Sequence, residues 1–187
     1  MKTKAFFLGT AVVLLAFSSC QKIKDSLTVK VPVEFNNDLQ VKPKGPELKS
    51  GNFYEFKAEV TFNPSTDPTV IKYKEKIKSI TASGISYTPT GLSQDIVITT
   101  ANLSIFAIDT GTGTPIVISW VLSNVTLKNG NLVALGDPSS GSLDALSLLL
   151  DGTADIKVTW TGYQNVPVNE YTFTTTLKAE VLAYLLK

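Results

Sequence analysis

The residue types that most often do chemistry are scarce in this chain. Histidine and arginine are absent, and the single cysteine is Cys20. Without histidine the chain lacks the commonest general base and the commonest metal ligand. Catalysis would then depend on paired carboxylates, as in glycoside hydrolysis, and the best pair is Glu55 and Glu59.

The spacing of Glu55 and Glu59 argues against a hydrolase. Four residues along one strand separate them by about 13 Å. An inverting pair is roughly 6.5–9.5 Å apart. Lys57 lies between the two acids, so a charge-balanced solvent face explains all three residues. We therefore predict that the protein is not an enzyme.

Two oxygen-rich segments could bind calcium, which needs only oxygen ligands. One is Asp109 with Gly111, Gly113 and the neighbouring threonines, and the other is the loop predicted at residues 36–38. Neither segment carries several spaced carboxylates, and Asn, Asp and Gly are favoured in turns for their backbone angles. Asp109 is thus a weak metal candidate, and we predict no metal and no cofactor.

Exposed aromatic rings could stack on sugars. Tyr163, beside Gly162 in a predicted turn, and Tyr87, near Pro89, are the tyrosines best placed to be exposed. Tyr163 is the candidate ligand contact, with an ordinary strand-end tyrosine as the alternative. Trp120 and Trp160 fall on the inward phase of their strands, which predicts that both lie in the core.

The first twenty residues have the composition of an export signal. Lys2 and Lys4 precede an uncharged, mostly apolar run from Ala5 to Phe17, and small residues lead to Cys20. The run is too short for a stable transmembrane helix, and the small residues are typical of a cleavage site. A plain secretory signal or an uncleaved anchor helix is the alternative.

The position of Cys20 at the predicted cut resembles a bacterial lipoprotein signal of the Bacteroidetes type. The resemblance implies that Cys20 is acylated and becomes the first mature residue, that residues 1–19 are the signal peptide and that residues 20–25 are a tether. It further implies an outer-membrane lipoprotein facing the periplasm or the cell surface, with a β-sandwich domain. A lone cysteine in an exported chain has no disulfide partner, which agrees with lipidation.

The remaining chain, residues 26–187, is predicted to form one domain. Without Lys2 and Lys4, fifteen lysines stand against sixteen acids. This near-neutral balance and the lack of arginine argue against a nucleic-acid partner.

Apolar residues alternate with polar ones along most of this domain, which predicts strands. Pro32 favours an edge position for the first strand, a phase slip near Thr99 indicates a bulge, and Asn129-Gly130 predicts a hairpin. Strands are predicted at Ser26–Phe35, Phe53–Phe62, Ser79–Pro89, Asp95–Ile108, Pro115–Leu127, Asn131–Leu135, Thr153–Thr161 and Glu170–Leu186, with helices at Pro68–Lys78 and between Ser142 and Gly152.

Eight short strands with two connecting helices predict a mainly β fold, an antiparallel β-sandwich of immunoglobulin-like or transthyretin-like style. A small β-barrel is the alternative. Three functions fit this fold: a non-catalytic binding module for a protein or glycan, a structural subunit that accepts a strand at Glu170–Leu186, and a carboxylate-based hydrolase. The binding module is favoured, with loops gathered at one end of the sandwich.

Overall fold

The protein, seen in a computed structural model, folds into two antiparallel sheets of four strands each. The structure describes residues 27–42, 53–108, 112–151, 154–167 and 170–185. Cys20 and Asp109 therefore lie outside the described residues. The strands are β1 Thr28–Val41, β2 Tyr54–Phe62, β3 Ile77–Thr90, β4 Ile96–Ile108, β5 Pro115–Leu127, β6 Val133–Leu135, β7 Ile156–Gln164 and β8 Tyr171–Tyr184, and the helices are α1 Pro68–Tyr73 and α2 Leu143–Asp151.

The strand order defines the topology. Sheet I has the order β1-β8-β3-β6 and sheet II the order β2-β7-β4-β5. The predicted sandwich is confirmed, and the two sheets do not close into a barrel. An immunoglobulin-like order would place the first strand beside the second. Here β1 pairs with β8, and every connection except β4–β5 crosses to the other sheet, so the eight strands form a jelly roll.

The first strand is longer than its sequence suggested. Alternation continues beyond Phe35, since Asn37, Leu39 and Val41 are also buried. Asn37 satisfies its amide by donating to the Phe35 carbonyl oxygen at 3.3 Å. The loop predicted to begin at Asn36 is thus wrong for residues 36–41, because full-length pairing with β8 outweighs the low strand propensity of Asn and Asp. The predicted edge position of Pro32 is confirmed.

The first helix is shorter than predicted. Asp67 caps α1 by accepting hydrogen bonds from the backbone N–H groups of Thr69 and Val70 at 2.7 and 3.2 Å, and Pro68 occupies the first turn, both as predicted. The helix ends at Tyr73 rather than Lys78, however. Ile77 and Ile80 belong to β3, where they pair with residues of β8. Tertiary pairing therefore outweighs the local helical spacing of these apolar residues.

The predicted hairpin after β5 is wrong, although its turn is present. Gly130 has a φ of +73°, as such a turn requires. The returning strand β6 does not pair with β5 but with β3 in the opposite sheet. The Gly130 N–H donates to the Pro89 carbonyl oxygen at 2.7 Å, which fixes the turn beside the end of β3.

Helix α2 covers the part of β3 that the three-residue strand β6 leaves open. As predicted, Ser142 caps it, with Oγ accepting from the Ala145 N–H at 3.1 Å. Leu146, Leu149 and Leu150 are buried. The Ala82 N–H of β3 donates to Ser147 Oγ at 2.9 Å, so a helix side chain satisfies a backbone group at the sheet edge. Within the described ranges no helix combines the length and apolar character needed to cross a bilayer.

An aromatic cluster fills the centre between the sheets. Trp160 of β7 stacks on Phe173 of β8 with ring centroids 4.6 Å apart, and Tyr87 of β3 meets Trp160 edge-on at 5.0 Å. Trp160 Nε1 donates to Thr175 Oγ1 at 3.1 Å. Trp120 is also buried, so both tryptophans lie in the core as predicted. Tyr87, predicted to be exposed, is instead 0% exposed.

The bulge predicted in β4 is present and depends on a glycine. The register of β4 against β7 shifts between Ile98 and Thr100. At this point Gly162 of β7 lies so close to β4 that a Cβ atom there would sit 2.9 Å from the Cα of Ala101 and would also meet the Thr100 carbonyl oxygen. A side chain at position 162 would therefore force two central strands apart.

We expect Gly162→Ala to lower the free energy of unfolding by about 2–3 kcal/mol because it overpacks a rigid backbone contact. Urea unfolding measures this difference. Gly84→Ala is the matched control, because a Cβ at that strand position meets nothing within 4 Å. Equal effects of the two substitutions would contradict the close approach described above.

Stability should also depend on the ionisation of Tyr87. Burial raises the pKa of Tyr87 to about 12, and its hydroxyl is buried with no hydrogen-bond partner in the described structure. In the unfolded chain the tyrosine hydroxyl ionises near pH 10. The contribution of Tyr87 to stability is therefore complete below pH 10 and is lost as the pH rises to 12.

The Tyr87→Phe variant should accordingly have about the same free energy of unfolding as the parent protein at pH 7. Between pH 10 and pH 12 this free energy should fall by about 2 kcal/mol less in the variant than in the parent protein. Urea unfolding at pH 7, 10, 11 and 12 measures the two profiles. If the free energy of unfolding fell equally with pH in both proteins, the raised pKa of Tyr87 in the folded state would be contradicted.

Candidate functional site

The outer face of sheet II is a regular grid of side chains that the strand registers define. Each row crosses the sheet from β2 through β7 and β4 to β5. Most charged residues lie on the β2 side, hydroxyl and amide residues predominate in the middle, and the β5 side alternates valine with serine. The four rows are Glu55–Tyr163–Thr100–Ser123, Lys57–Thr161–Asn102–Val121, Glu59–Thr159–Ser104–Ser119 and Thr61–Lys157–Phe106–Val117.

A shallow depression of about 450 Å³ occupies the first two rows of this grid. Tyr163 lies in it with half of its surface exposed (50%). The turn predicted around Tyr163 is wrong, because the residue belongs to β7 and pairs with both Glu55 and Thr100. We call this depression the Tyr163 site; its lining is Glu55, Thr100, Ala101, Asn102, Val121, Thr161, Gly162 and Tyr163.

The Tyr163 site combines an aromatic ring with uncharged polar groups and one acid. Asn102 offers an amide, Thr100 and Thr161 offer hydroxyls, and Glu55 offers a carboxylate directly across from the ring. No lysine lines the depression. The ion pairs between described residues do not include Glu55. The site therefore presents hydrogen-bond acceptors and donors around an apolar ring, with a negative rather than a positive charge.

The burial of Gly162 positions the tyrosine. The two strands can approach closely here because Gly162 has no side chain that would collide with β4. The bulge at Thr99 then turns Thr100 outward. Thr100 and Tyr163 are consequently direct neighbours on the outer face. The shape of the Tyr163 site thus follows from a backbone contact beneath it.

The second carboxylate of the proposed hydrolase pair is held by lysines. Glu59 Oε2 lies 3.0 Å from Lys57 Nζ and 3.0 Å from Lys157 Nζ. The hydrogen bond from Lys57, followed by that from Lys157, holds the pKa of Glu59 below its usual range. A general acid in glycoside hydrolysis needs the opposite shift. Glu59 is therefore poorly suited to the role of general acid.

The oxygen-rich segment 36–38 does not form a calcium loop. It lies within β1, and its outward side chains bond to β8: Thr176 Oγ1 donates to Asn36 Oδ1 at 2.6 Å and Thr174 Oγ1 donates to Asp38 Oδ1 at 2.7 Å. Among the described residues no cluster of three or more acidic or cysteine side chains could hold a metal ion. The candidate Asp109 lies outside the described residues.

Three loops meet at the end of the sandwich nearest the Tyr163 site, which we call the upper end. The Leu92 N–H of the β3–β4 loop donates to Asn129 Oδ1 of the β5–β6 loop at 3.1 Å. Asn165 of the β7–β8 loop accepts at Oδ1 from the Val97 N–H at 2.9 Å and donates its own N–H to the Val97 carbonyl oxygen at 3.0 Å. The expected gathering of loops is therefore present at this end: one hydrogen bond joins two of the loops, and two more tie the third loop to the start of β4.

Strand addition at the C-terminal strand is excluded by the sheet order. β8 pairs with β1 on one side and with β3 on the other, so it has no free backbone edge. The prediction of a strand-accepting site at Glu170–Leu186 is therefore wrong for the described residues 170–185. Among the true edges, β1 contains Pro32, which lacks a donor.

The edge strand β5 is covered along part of its length. The Ser119 N–H donates to the Ser140 carbonyl oxygen at 2.9 Å, and the Ser139 N–H donates to the Ser119 carbonyl oxygen at 2.7 Å. The neighbouring Val121 N–H donates to Ser139 Oγ at 3.1 Å. These bonds occupy backbone groups that another chain would need for pairing.

Comparisons with known proteins give the architecture a context. No family model matches the chain, and no curated protein matches it significantly. A protein of Parabacteroides distasonis assigned as secreted is similar over 79% of this chain at 14% identity and a TM-score of 0.42, and the chain spans about half (49%) of that protein.

Viral capsid proteins are also similar in structure. The BFDV capsid protein is matched over 83% of this chain and 98% of its own at 12% identity and a TM-score of 0.41. Desmodium yellow mottle tymovirus is matched over 85% of both chains at 10% identity and a TM-score of 0.34. These values are low, so the fold assignment here rests on the strand order alone.

The sequence indicated Tyr163 and Glu55 separately but did not bring them together. It missed Thr100, Asn102 and Thr161 as neighbours of the tyrosine. Their outward phase was readable from the alternation of β4 and β7, and the bulge at Thr99 was predicted. What the sequence lacked was the pairing of β7 between β2 and β4, which joins residues far apart in the chain.

Proposed function

We propose that the protein is an exported, lipid-anchored and non-catalytic binding module that holds a glycan in the Tyr163 site. The observation that supports a glycan most directly is the half-exposed ring of Tyr163 surrounded by Glu55, Asn102 and threonine hydroxyls. An amphipathic aromatic ring offers a large apolar surface to the C–H face of a sugar. The surrounding oxygens and amide can exchange hydrogen bonds with sugar hydroxyls.

The charge of the Tyr163 site selects among glycans. Its single ionisable lining residue apart from the tyrosine is Glu55. A carboxylate accepts hydrogen bonds from neutral hydroxyls but repels uronic acids and sialic acids. A neutral glycan is therefore the favoured ligand class.

The anchor is proposed from Cys20 and its preceding signal. An acyl-bearing Cys20 would place the domain on a membrane through a tether of a few residues, since β1 begins at Thr28. Two or more acyl chains are needed for firm anchoring. The lipoprotein resemblance favours the outer membrane, with the domain facing the periplasm or the cell surface.

A protein partner is the second candidate, and the apolar side of the same outer face favours it. Phe106 of β4 and Val117 of β5 are exposed and directly paired. Contiguous exposed apolar residues often mark protein-binding surfaces. A protein partner would depend on Phe106 and Val117, which do not line the Tyr163 site, whereas a glycan would depend on Tyr163.

Glycan binding should be lost on Tyr163→Ala and retained on Tyr163→Phe, because stacking uses the ring rather than its hydroxyl. Loss of stacking should weaken binding by about tenfold or more. A glycan array followed by calorimetry with the best neutral glycan measures this. Phe106→Ala is the matched control on the same face. Loss in Phe106→Ala with binding intact in Tyr163→Ala, or no glycan bound at all, would contradict the proposal.

Lipidation should appear as a mature chain that begins at an acylated Cys20. Mass spectrometry of the protein from membranes measures the mass of its N-terminal peptide. Cys20→Ser should abolish the acyl mass and release the domain from the membrane fraction. An unmodified thiol at Cys20, or retention of residues 1–19, would contradict the proposed anchor.

A further inference from the structure

The end of the sandwich opposite the Tyr163 site, the lower end, is where the described chain begins and ends. The Leu185 N–H donates to the Leu27 carbonyl oxygen at 2.9 Å, which joins the two termini of the domain. The Tyr184 N–H donates to the Lys76 carbonyl oxygen at 2.8 Å, which brings the segment after α1 to the same place. Residues 27, 76, 184 and 185 are therefore neighbours at the lower end, and residues 71–75 lead directly into them.

This surface is basic. Lys72, Lys74 and Lys78 are exposed and Lys76 is half-buried, all within seven consecutive residues. Lys78 Nζ lies 6.0 Å from the ring centre of Tyr184, so the lysines extend over the end of β8. The acid within this run is Glu75.

Two acids of the lower end, Asp155 and Asp67, lie near the end of β2. Asn63 donates to Asp155 Oδ1 at 3.0 Å, which places the end of β2 beside the start of β7. Asp67 follows this contact and caps α1. From there the chain passes through α1, which carries Lys72, and a turn with Lys74 and Lys76, and enters β3 beside Lys78. The lysines therefore lie between the Asp67 cap and the backbone bond that joins this segment to the end of β8.

Apolar side chains accompany the lysines. Ile71, Leu27 and Leu185 are 56%, 41% and 49% exposed. An exposed combination of lysines and large aliphatic residues is typical of surfaces that lie at a bilayer interface, where ammonium groups meet phosphates and aliphatic groups enter the boundary region.

We propose that this surface, Leu27, Ile71, Leu185 and the lysines of residues 72–78, docks on a bilayer that contains anionic phospholipid. The proposal deepens the proposed anchoring: seven residues from Cys20 to Leu27 can span at most about 25 Å, so an acylated Cys20 would keep the basic surface near the headgroups. Docking would direct the upper loops away from the membrane and leave the Tyr163 site open at the side of the sandwich.

The test uses the mature chain from residue 20 with Cys20→Ser, so that binding does not depend on an acyl group. Co-sedimentation with vesicles of phosphatidylcholine, with and without phosphatidylglycerol, measures the partition coefficient. We expect binding only to vesicles with phosphatidylglycerol, falling as salt is raised. The double variant Lys72→Ala/Lys74→Ala should lower the partition coefficient on the order of thirtyfold, because each lysine near an anionic surface contributes about fivefold.

Lys42→Ala/Lys128→Ala is the matched control, because it removes the same charge from the upper end of the sandwich. Equal losses in both double variants would overturn the proposal, as would a lack of binding to anionic vesicles. If the non-acylated chain binds anionic vesicles but native Cys20 carries no acyl group, the docking surface is supported and only the proposed anchor is overturned. If native Cys20 is acylated but the non-acylated chain does not bind anionic vesicles, the anchor is supported and the docking surface is overturned.

Discussion

The pairing of the first strand with the last is the constraint on which the rest of the structure depends. β8 lies between β1 and β3, and its fourteen residues give sheet I its length. The same strand contributes Phe173 to the aromatic stack and Thr175 to the hydrogen bond that fixes Trp160 of the other sheet. Because these contacts join distant parts of the chain, the core cannot be completed until β8 is in place.

The local features of the fold were largely readable from the sequence. The alternation of β2 and β7, the cap at Asp67, the bulge in β4 and the core positions of both tryptophans follow from residue types and spacing alone. Several of the errors share one cause. At Asn36, Ile77 and Val133 the chain follows a partner strand that is distant in sequence, and pairing with that partner overrides the local preference.

The candidate site shows the same division. Its individual residues had recognisable chemistry: an exposed tyrosine, a carboxylate and several hydroxyls. Their assembly depends on β7 lying between β2 and β4, which no local pattern encodes. Tyr87 illustrates the converse, since a tyrosine near a proline suggested exposure, whereas its ring faces the core and meets Trp160 and Phe173 edge-on. The burial of Tyr87 thus depends on strands that are distant from it in the chain.

The partly protected edges of β1 and β5 have a consequence for the proposed anchoring at a membrane. Molecules confined to one plane collide far more often than molecules free in solution, and an open sheet edge would let such collisions propagate into fibres. Pro32 interrupts donation from β1, and the backbone of residues 139 and 140 occupies part of β5. Edge-to-edge pairing of copies through β1 and β5 is therefore disfavoured, which would keep neighbouring molecules separate under the proposed anchoring.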